Sequence, residues 1–108
     1  MMKMAWTCLI GAGLFEIGWP VGLKLAQTPG KTFVGVLFAS SCMIVSGYLL
    51  YLAQRHIPMG TAYAVWTGIG AAGTFVLGIF LYGDPTCTMR ILAVLLIISG
   101  VILLKLAH

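Results

Sequence analysis

Residues 32–53 read TFVGVLFASSCMIVSGYLLYLA and carry no charged side chain. A helix of about 20 mostly apolar residues crosses the hydrocarbon core of a bilayer, so this stretch predicts a membrane-spanning helix. The rest of the chain has the same character, because 61% of its 108 residues are hydrophobic and only 7% are charged. Soluble domains carry about a quarter charged residues, and disordered chains are poor in apolar ones. The composition excludes both classes and indicates an integral membrane protein.

Three further apolar stretches, residues 4–23, 58–82 and 87–105, lie around this segment. The breaks between them are short and rich in Gly, Pro and polar residues. The last stretch has an uninterrupted apolar core only over residues 91–104, but its polar flanks can snorkel to the interface. The first is too long for a signal peptide and is followed by no A-x-A cleavage site. The predicted fold is all-α: a single domain over residues 1–108 with four transmembrane helices, successive helices being antiparallel neighbours.

The basic residues divide evenly between the two sides of such a bundle. The side of the N-terminus holds Lys3, Arg55 and Lys105, and the other side holds Lys24, Lys31 and Arg90. An excess of Lys and Arg normally fixes the orientation of a membrane protein, and here there is none. A chain without this bias is expected to insert both ways, which permits an antiparallel dimer without requiring one.

Glu16 is the only acidic residue inside a predicted span, since Asp84 falls in a loop. A charge at the bilayer centre costs at least about 2.5–3.5 kcal/mol, and intramembrane acids are functional by default. Every Lys and Arg lies at a helix end, so Glu16 is expected either to stay protonated or to meet a cation from outside the chain. The structural alternative is a neutral Glu hydrogen-bonded between helices. Two copies would enclose a water-filled site more easily than one, and would bring two Glu16 side chains together.

Pro20 lies one turn after this carboxylate. Because proline has no N–H, the helical hydrogen bond to the carbonyl of residue 16 is missing, and a kink or a free acceptor is expected there. Gly18 and Gly22 have the G-x-x-x-G spacing of closely packed membrane helices, although packing alone explains them equally well.

Several aromatic and hydroxyl side chains have the spacing to line a cation site with Glu16. They are Trp19, Ser46, Tyr63 and Trp66, with Gly70 continuing the face of the last two. Residues three apart share a helix face, and aromatic rings with a carboxylate bind cations, above all a planar guanidinium. The alternative for Tyr63 is a place in the interfacial aromatic belt.

Other sequence patterns argue against nucleotide binding, metal binding and catalysis. The match to G-x-G-x-x-G at residues 68–73 lies within a predicted membrane helix, not after a strand, so it predicts a flexible or closely packed point and no nucleotide site. The three cysteines lack metal-ligand spacing and are interpreted as small apolar fillers. The chain has no nucleophile–base set, so neither an enzyme nor any cofactor, metal or nucleic-acid site is predicted. In the fourth helix Ala93 and Gly100 share one face, which indicates a helix–helix contact.

These features together resemble the small multidrug resistance family over the whole chain. The most specific segment is PMGTAYAVWTGIG, residues 58–70. Trp19 three residues after Glu16, followed by Gly22-Leu23-Lys24, resembles the guanidinium-exporter subtype. The multidrug subtype usually has a small residue in place of Trp19.

The resemblance implies an antiparallel homodimer, inserted in both orientations in the bacterial inner membrane, that exports guanidinium against protons by alternating access. It assigns proton and substrate binding in competition to Glu16. The implied roles of the other residues are carboxylate hydrogen bonding by Trp19 and Ser46, coupling to opening by Tyr63, pocket lining by Trp66, bending at Gly68, Gly70 and Gly73, and dimerisation at Ala93 and Gly100.

This chain departs from the family pattern at two places. Ala93 occupies a position that is often Gly, and Gly18 and Pro20 replace more ordinary helix formers. A more pliable site at Pro20 would admit substituted guanidines such as guanylurea. Alternatives to the guanidinium exporter are an exporter of quaternary ammonium or aromatic cations, a passive cation channel, a non-transporting membrane subunit, and a heterodimer with a second family member.

Overall fold

The computed structural model describes residues 2–107, which form four α-helices joined by short turns. The helices are α1 (Met2–Ala26), α2 (Thr32–Ala53), α3 (Met59–Tyr82) and α4 (Thr88–Ala107). All four are long and apolar enough to cross a membrane. This confirms the predicted all-helical architecture and a multi-pass membrane protein.

The helix bounds differ from the prediction mainly at the end of α1. That helix continues through Lys24 to Ala26 instead of ending at Leu23, because a charged side chain at a membrane interface does not have to end a helix. It also passes through Pro20 without interruption. The α2 bounds are those predicted; α3 begins one residue later and ends as predicted, and α4 begins one residue later and ends two residues later.

The helices pack as a thin slab with α1 as its most connected member. The principal dimensions are 44 × 34 × 17 Å, so the slab is less than two helix diameters thick. Helix α1 packs most extensively, against α2 and α3, and α3 also contacts α2; α4 packs mainly against α3, with Lys105 reaching the Trp6 ring of α1. A layer this thin cannot surround a site on all sides, and any site on α1 or α3 stays open toward one face.

The buried core lies where the first half of α1 meets the end of α2 and the start of α3. Its largest fully buried apolar side chains are Leu9, Ile57 and Val65. Along the rest of α1 the contact with α2 depends on small residues. An added Cβ at Gly22 would lie 2.7 Å from the backbone nitrogen of Ala39, closer than such atoms ever approach. The helices therefore meet almost backbone to backbone, as small-residue faces allow in membranes.

Candidate functional site

Glu16 lies on an open cleft of about 460 Å³ between α1 and α3. The residue is half-buried, and its Oε1 atom is buried without a hydrogen-bond partner among residues 2–107. A buried carboxyl oxygen without a partner costs free energy unless a proton or an external cation satisfies it. The geometry therefore gives Glu16 the environment of a group that binds something from outside the chain.

The absence of a side chain at Gly70 of α3 leaves the space that the Glu16 side chain occupies. A Cβ added at Gly70 would lie 2.5 Å from Glu16 Cγ and 3.3 Å from its Cβ. Gly70 also lines the cleft. The sequence placed Gly70 on a binding face, and the structure brings it directly against the carboxylate-bearing side chain.

Trp19 and Pro20 line the same cleft as Glu16, one turn further along α1. Trp19 is half-buried, so part of its ring faces the cleft beside the carboxylate. Pro20 leaves the Glu16 carbonyl without its helical donor, although the helix is continuous there. An aromatic ring and a carboxylate on one wall form a surface suited to a planar cation.

Ser46 and Trp66 join the three packed helices by a short hydrogen-bond chain. The indole Nε1 of Trp66 donates to Ser46 Oγ at 2.8 Å, and the Ser46 hydroxyl donates to the Ala12 carbonyl at 2.6 Å. Ser46 is fully buried. In a regular helix the Ala12 carbonyl also accepts the N–H of residue 16, so the chain ends on the backbone turn that carries Glu16. Hydrogen bonding of Ser46 or Trp19 to the carboxylate itself stays a prediction.

Tyr63 stands beside Trp66, outside the cleft that Glu16 lines. The two ring centres are 5.5 Å apart and the planes are inclined by 52°. Tyr63 is 56% exposed in the single chain. Its predicted contact with a pair of Glu16 side chains concerns a second copy and stays a prediction.

Gly18, one of the departures noted in the sequence, has a packing partner in α2. An added Cβ at Gly18 would overlap Cys42 Sγ and lie 3.1 Å from Cys42 Cβ. Cys42 is buried. The thiol thus fills the space that the missing side chain leaves, two residues from Glu16.

The glycine-rich segment of α3 lies within one continuous helix. Gly73 contacts Ile17 of α1, and Gly68 contacts Val101 of α4, each so closely that a Cβ would overlap the neighbour. At these glycines and at Gly70, α3 packs closely against side chains of α1 and α4. This agrees with the prediction of a closely packed point at residues 68–73. Bending at this segment stays a prediction about another conformation.

Helix α4 buries none of its described residues within the single chain. Ala93 and Gly100 are both exposed, and a Cβ at Gly100 would meet nothing within 4 Å. A face of small residues is thus free for a partner helix or for lipid. Its predicted role in dimerisation is neither supported nor excluded by contacts within one copy.

Several cleft residues were not singled out in the sequence. They are Thr67, Ala71, Thr74, Phe75, Asp84 and Arg90. The threonines could have been found, because positions 67, 70 and 74 share one face of α3. Arg90 and Asp84 could not, since only the turn after α3 brings them back to the cleft. Arg90 lies in the first turn of α4, as expected of a basic residue at a helix end; it reaches the same cleft, but within the described chain it forms no ion pair with Glu16.

Comparisons with known proteins identify the family. The model of the Small Multidrug Resistance protein family matches residues 4–97. The chain belongs to the small multidrug resistance family. A "Guanidinium exporter" of Yersinia pseudotuberculosis serotype I (strain IP32953) is 46% identical over 104 residues, covering 96% of this chain and 99% of the relative.

Two other relatives of this small multidrug resistance protein carry the same description. The Proteus vulgaris protein is 47% identical over 105 residues, covering 96% of this chain and 99% of its own. The Escherichia coli (strain K12) protein is 45% identical over 104 residues, covering 96% and 98%. The resemblance predicted from Glu16, Trp19 and the segment at residues 58–70 is confirmed. The family match includes every cleft residue, from Glu16 to Arg90.

Proposed function

We propose that this chain exports guanidinium and small guanidinyl cations across the bacterial inner membrane in exchange for protons. The observation that carries the proposal is the Glu16 carboxyl group, whose buried Oε1 has no partner in residues 2–107 and which shares a cleft with Trp19. The description of three relatives as guanidinium exporters supports the choice of cation.

The chemistry of the cleft suits guanidinium better than a bulky cation. A guanidinium ion is planar, donates two parallel N–H bonds to one carboxylate and stacks on aromatic rings. Glu16 supplies the carboxylate, and Trp19 supplies a ring one turn away. Thr67 and Thr74 add hydroxyl groups to the wall. Binding a cation at the site requires the ionised carboxylate, so a proton and a cation compete for Glu16.

This competition is sufficient to couple the two movements. On the side where protons are abundant, protonation of Glu16 releases the cation; on the other side the cation displaces the proton. The cleft must then face the two sides in turn, with only one ligand bound at a time. No nucleotide is needed, because the proton gradient supplies the free energy.

A homodimer of two oppositely oriented copies completes the proposed transporter. The slab is 17 Å thick and leaves the Glu16 cleft open on one side, so a second copy would close it. The small-residue face at Ala93 and Gly100 offers a contact surface. The even division of basic residues favours insertion in both orientations. A heterodimer with a second family member is the alternative assembly.

The competing function is export of quaternary ammonium or aromatic cations by the same machinery. Quaternary ammonium ions have no N–H to donate to Glu16, and the half-buried Trp19 ring takes up space on the cleft wall beside it. Substituted guanidines such as guanylurea keep the hydrogen-bonding head and are expected to be carried. The missing backbone bond at Pro20 gives α1 the freedom to admit them.

The test uses purified protein in sealed liposomes, with and without a pH gradient. The current and the internal pH are recorded on addition of guanidinium, guanylurea or a quaternary ammonium ion. We expect the guanidinyl cations to drive a saturable change of internal pH as protons move in the opposite direction, with a current only where more than one proton exchanges for each cation. Current mainly from the bulky cation would assign the protein to the multidrug subtype, and non-saturating current without proton movement would indicate a channel.

A further inference from the structure

The turn after α3 folds back onto the helix that it follows. Gly83 is left-handed with φ +67°, its N–H donates to the Ile79 carbonyl at 3.2 Å, and the Asp84 N–H donates to the Gly78 carbonyl at 3.1 Å. A left-handed glycine with a bond of this kind is the αL type of helix end, which turns the chain away from the helix axis, and the Asp84 bond then holds the chain against the last turns of α3. The Asp84 carboxylate consequently rests on Gly78, where an added methyl group would overlap its Oδ2.

This placement brings Asp84 to the outer end of the cleft that Glu16 occupies. Both carboxylates line the same cleft. Glu16 contacts Gly70 and Asp84 contacts Gly78, eight residues later on one helix. At 1.5 Å per residue these contact points are about 12 Å apart along α3. A cation entering from this side passes Asp84 before it reaches Glu16.

The basic groups at this end are held by aromatic rings and not by Asp84. The Lys24 Nζ lies 5.8 Å from the Tyr82 ring centre, and the Arg90 Cζ lies 5.1 Å from the Phe75 ring centre. Within the described part of the chain, Asp84 forms no ion pair and no side-chain hydrogen bond. Its carboxylate is therefore available to a mobile cation.

The Arg90 side chain ends in a guanidinium group, the same chemical group as the proposed substrate. Its guanidinium lies against the Phe75 ring, and its Nε donates to the Pro85 carbonyl at 3.1 Å. Phe75, Arg90 and Asp84 all line the Glu16 cleft. The chain thus already seats a guanidinium group in the cleft, at a ring and beside a free carboxylate.

We propose that the outer end of the cleft is a second guanidinium-binding position, formed by Asp84 and the Phe75 ring. The Arg90 guanidinium covers the Phe75 ring at rest and yields the ring to a guanidinium ion that pairs with Asp84 on the way to Glu16. This inference rests on the proposed function and adds an entry site to it. Asp84 concentrates the cation near Glu16 and so sets the KM for guanidinium, while Glu16 alone carries the exchange with protons.

The test measures guanidinium-driven proton flux in liposomes as a function of guanidinium concentration. Asp84→Asn removes the charge and leaves both the backbone turn and the Lys and Arg tally intact. We expect its KM to rise about two- to fivefold, the range of an exposed charge pair, with the maximal rate and the cation-to-proton ratio unchanged. Asp84→Glu should restore the KM. High salt should raise the KM of the unmodified protein more than that of Asp84→Asn.

Two further variants test the same site without removing the Asp84 charge. Gly78→Ala keeps the Asp84 charge but displaces its carboxylate, so it should reproduce the raised KM, whereas Gly60→Ala, which meets no neighbour, should not. Arg90→Lys keeps the charge but loses the planar group, so its side chain should leave the Phe75 ring. The ring is then open to guanidinium, and the KM should fall.

Absence of guanidinium flux in the unmodified protein would refute the proposed function and this inference with it. Normal flux with an unaltered KM in Asp84→Asn and Gly78→Ala would refute the inference alone. If Asp84→Asn failed to assemble, the KM of Gly78→Ala and Arg90→Lys would decide. A raised KM in Arg90→Lys would contradict the displacement of its guanidinium by substrate.

Discussion

The side chain of Glu16 lies against the bare backbone of Gly70, with Glu16 Cγ 2.5 Å from the point where a Gly70 Cβ would stand. The position of the carboxyl group is therefore set by the absence of a side chain on the neighbouring helix. The placement of this carboxyl group depends on the spacing of two helices as much as on the acid itself.

Gly70→Ala is expected to impair transport by moving Glu16. The added methyl group forces either the Glu16 side chain or α3 to shift, and overpacking of this kind typically costs about 1–3 kcal/mol. Guanidinium-driven proton flux should fall about tenfold, which corresponds to about 1.4 kcal/mol and lies within that range. Gly47→Ala is the matched control, because it lies in a helix and its Cβ would meet nothing within 4 Å. Equal activity of the two variants would contradict the packing argument.

Glu16→Gln is expected to abolish coupled transport. The amide keeps the size of the side chain but neither releases a proton nor pairs with a cation. Liposomes containing this variant should show no internal pH change on addition of guanidinium. Glu16→Asp keeps the carboxylate and should retain slower, still coupled exchange. Guanidinium movement against its gradient by Glu16→Gln would show that the exchange site lies elsewhere.

Ser46→Ala is expected to destabilise the protein as well as slow it. The substitution leaves the Trp66 indole N–H and the Ala12 carbonyl without the partner that joins them. Loss of a partner for a buried polar group costs about 1–3 kcal/mol, so thermal unfolding in detergent should begin at a lower temperature. Ser41→Ala, which removes only an exposed bond to the Leu37 carbonyl of the same helix, should behave as the unmodified protein. Equal unfolding temperatures of the two variants would argue against a structural role for the hydrogen bonds that join Trp66, Ser46 and Ala12.

The even charge division predicts that single added charges will bias insertion. Gln54→Lys adds a charge beside Arg55, and Gln27→Lys adds one on the opposite side of the membrane. Each variant alone should favour one orientation, detected with a C-terminal reporter, and should lose activity. Their co-expression should restore it by supplying both orientations. Full activity of each variant when expressed alone, with a measured orientation bias, would contradict the antiparallel dimer.

The fold was largely predictable because a bilayer reduces the choice to apolar helices and their ends. The charge-free run at residues 32–53 gave the bounds of α2 directly, since polar residues flank it on both sides. The end of α1 was less predictable, because Lys24 snorkels as readily within a helix as beyond it. Apolar runs give no pairing order, so the sequence could not indicate that α4 packs mainly against α3.

The site was predictable in part for a similar reason. Glu16, Trp19 and Gly70 follow from an acid in a membrane span and from residues that share a helix face, and the structure brings them onto one cleft. Asp84 and Arg90 depend on a tertiary return of the chain that no local spacing encodes. The Ser46 hydroxyl was correctly chosen as a polar group in the interior, but its acceptor, a carbonyl on another helix, was not foreseeable.

Gly18 and Cys42 have a consequence for how this chain can exchange parts with its relatives. The sulfur fills the volume above the glycine, so a side chain at position 18 requires Cys42 to move or to be replaced. A chimaera that received α1 with a side chain at position 18, while retaining this α2, would place two groups in one volume two residues from Glu16. Exchange of α1 with such a relative should therefore succeed better when α2 is exchanged with it.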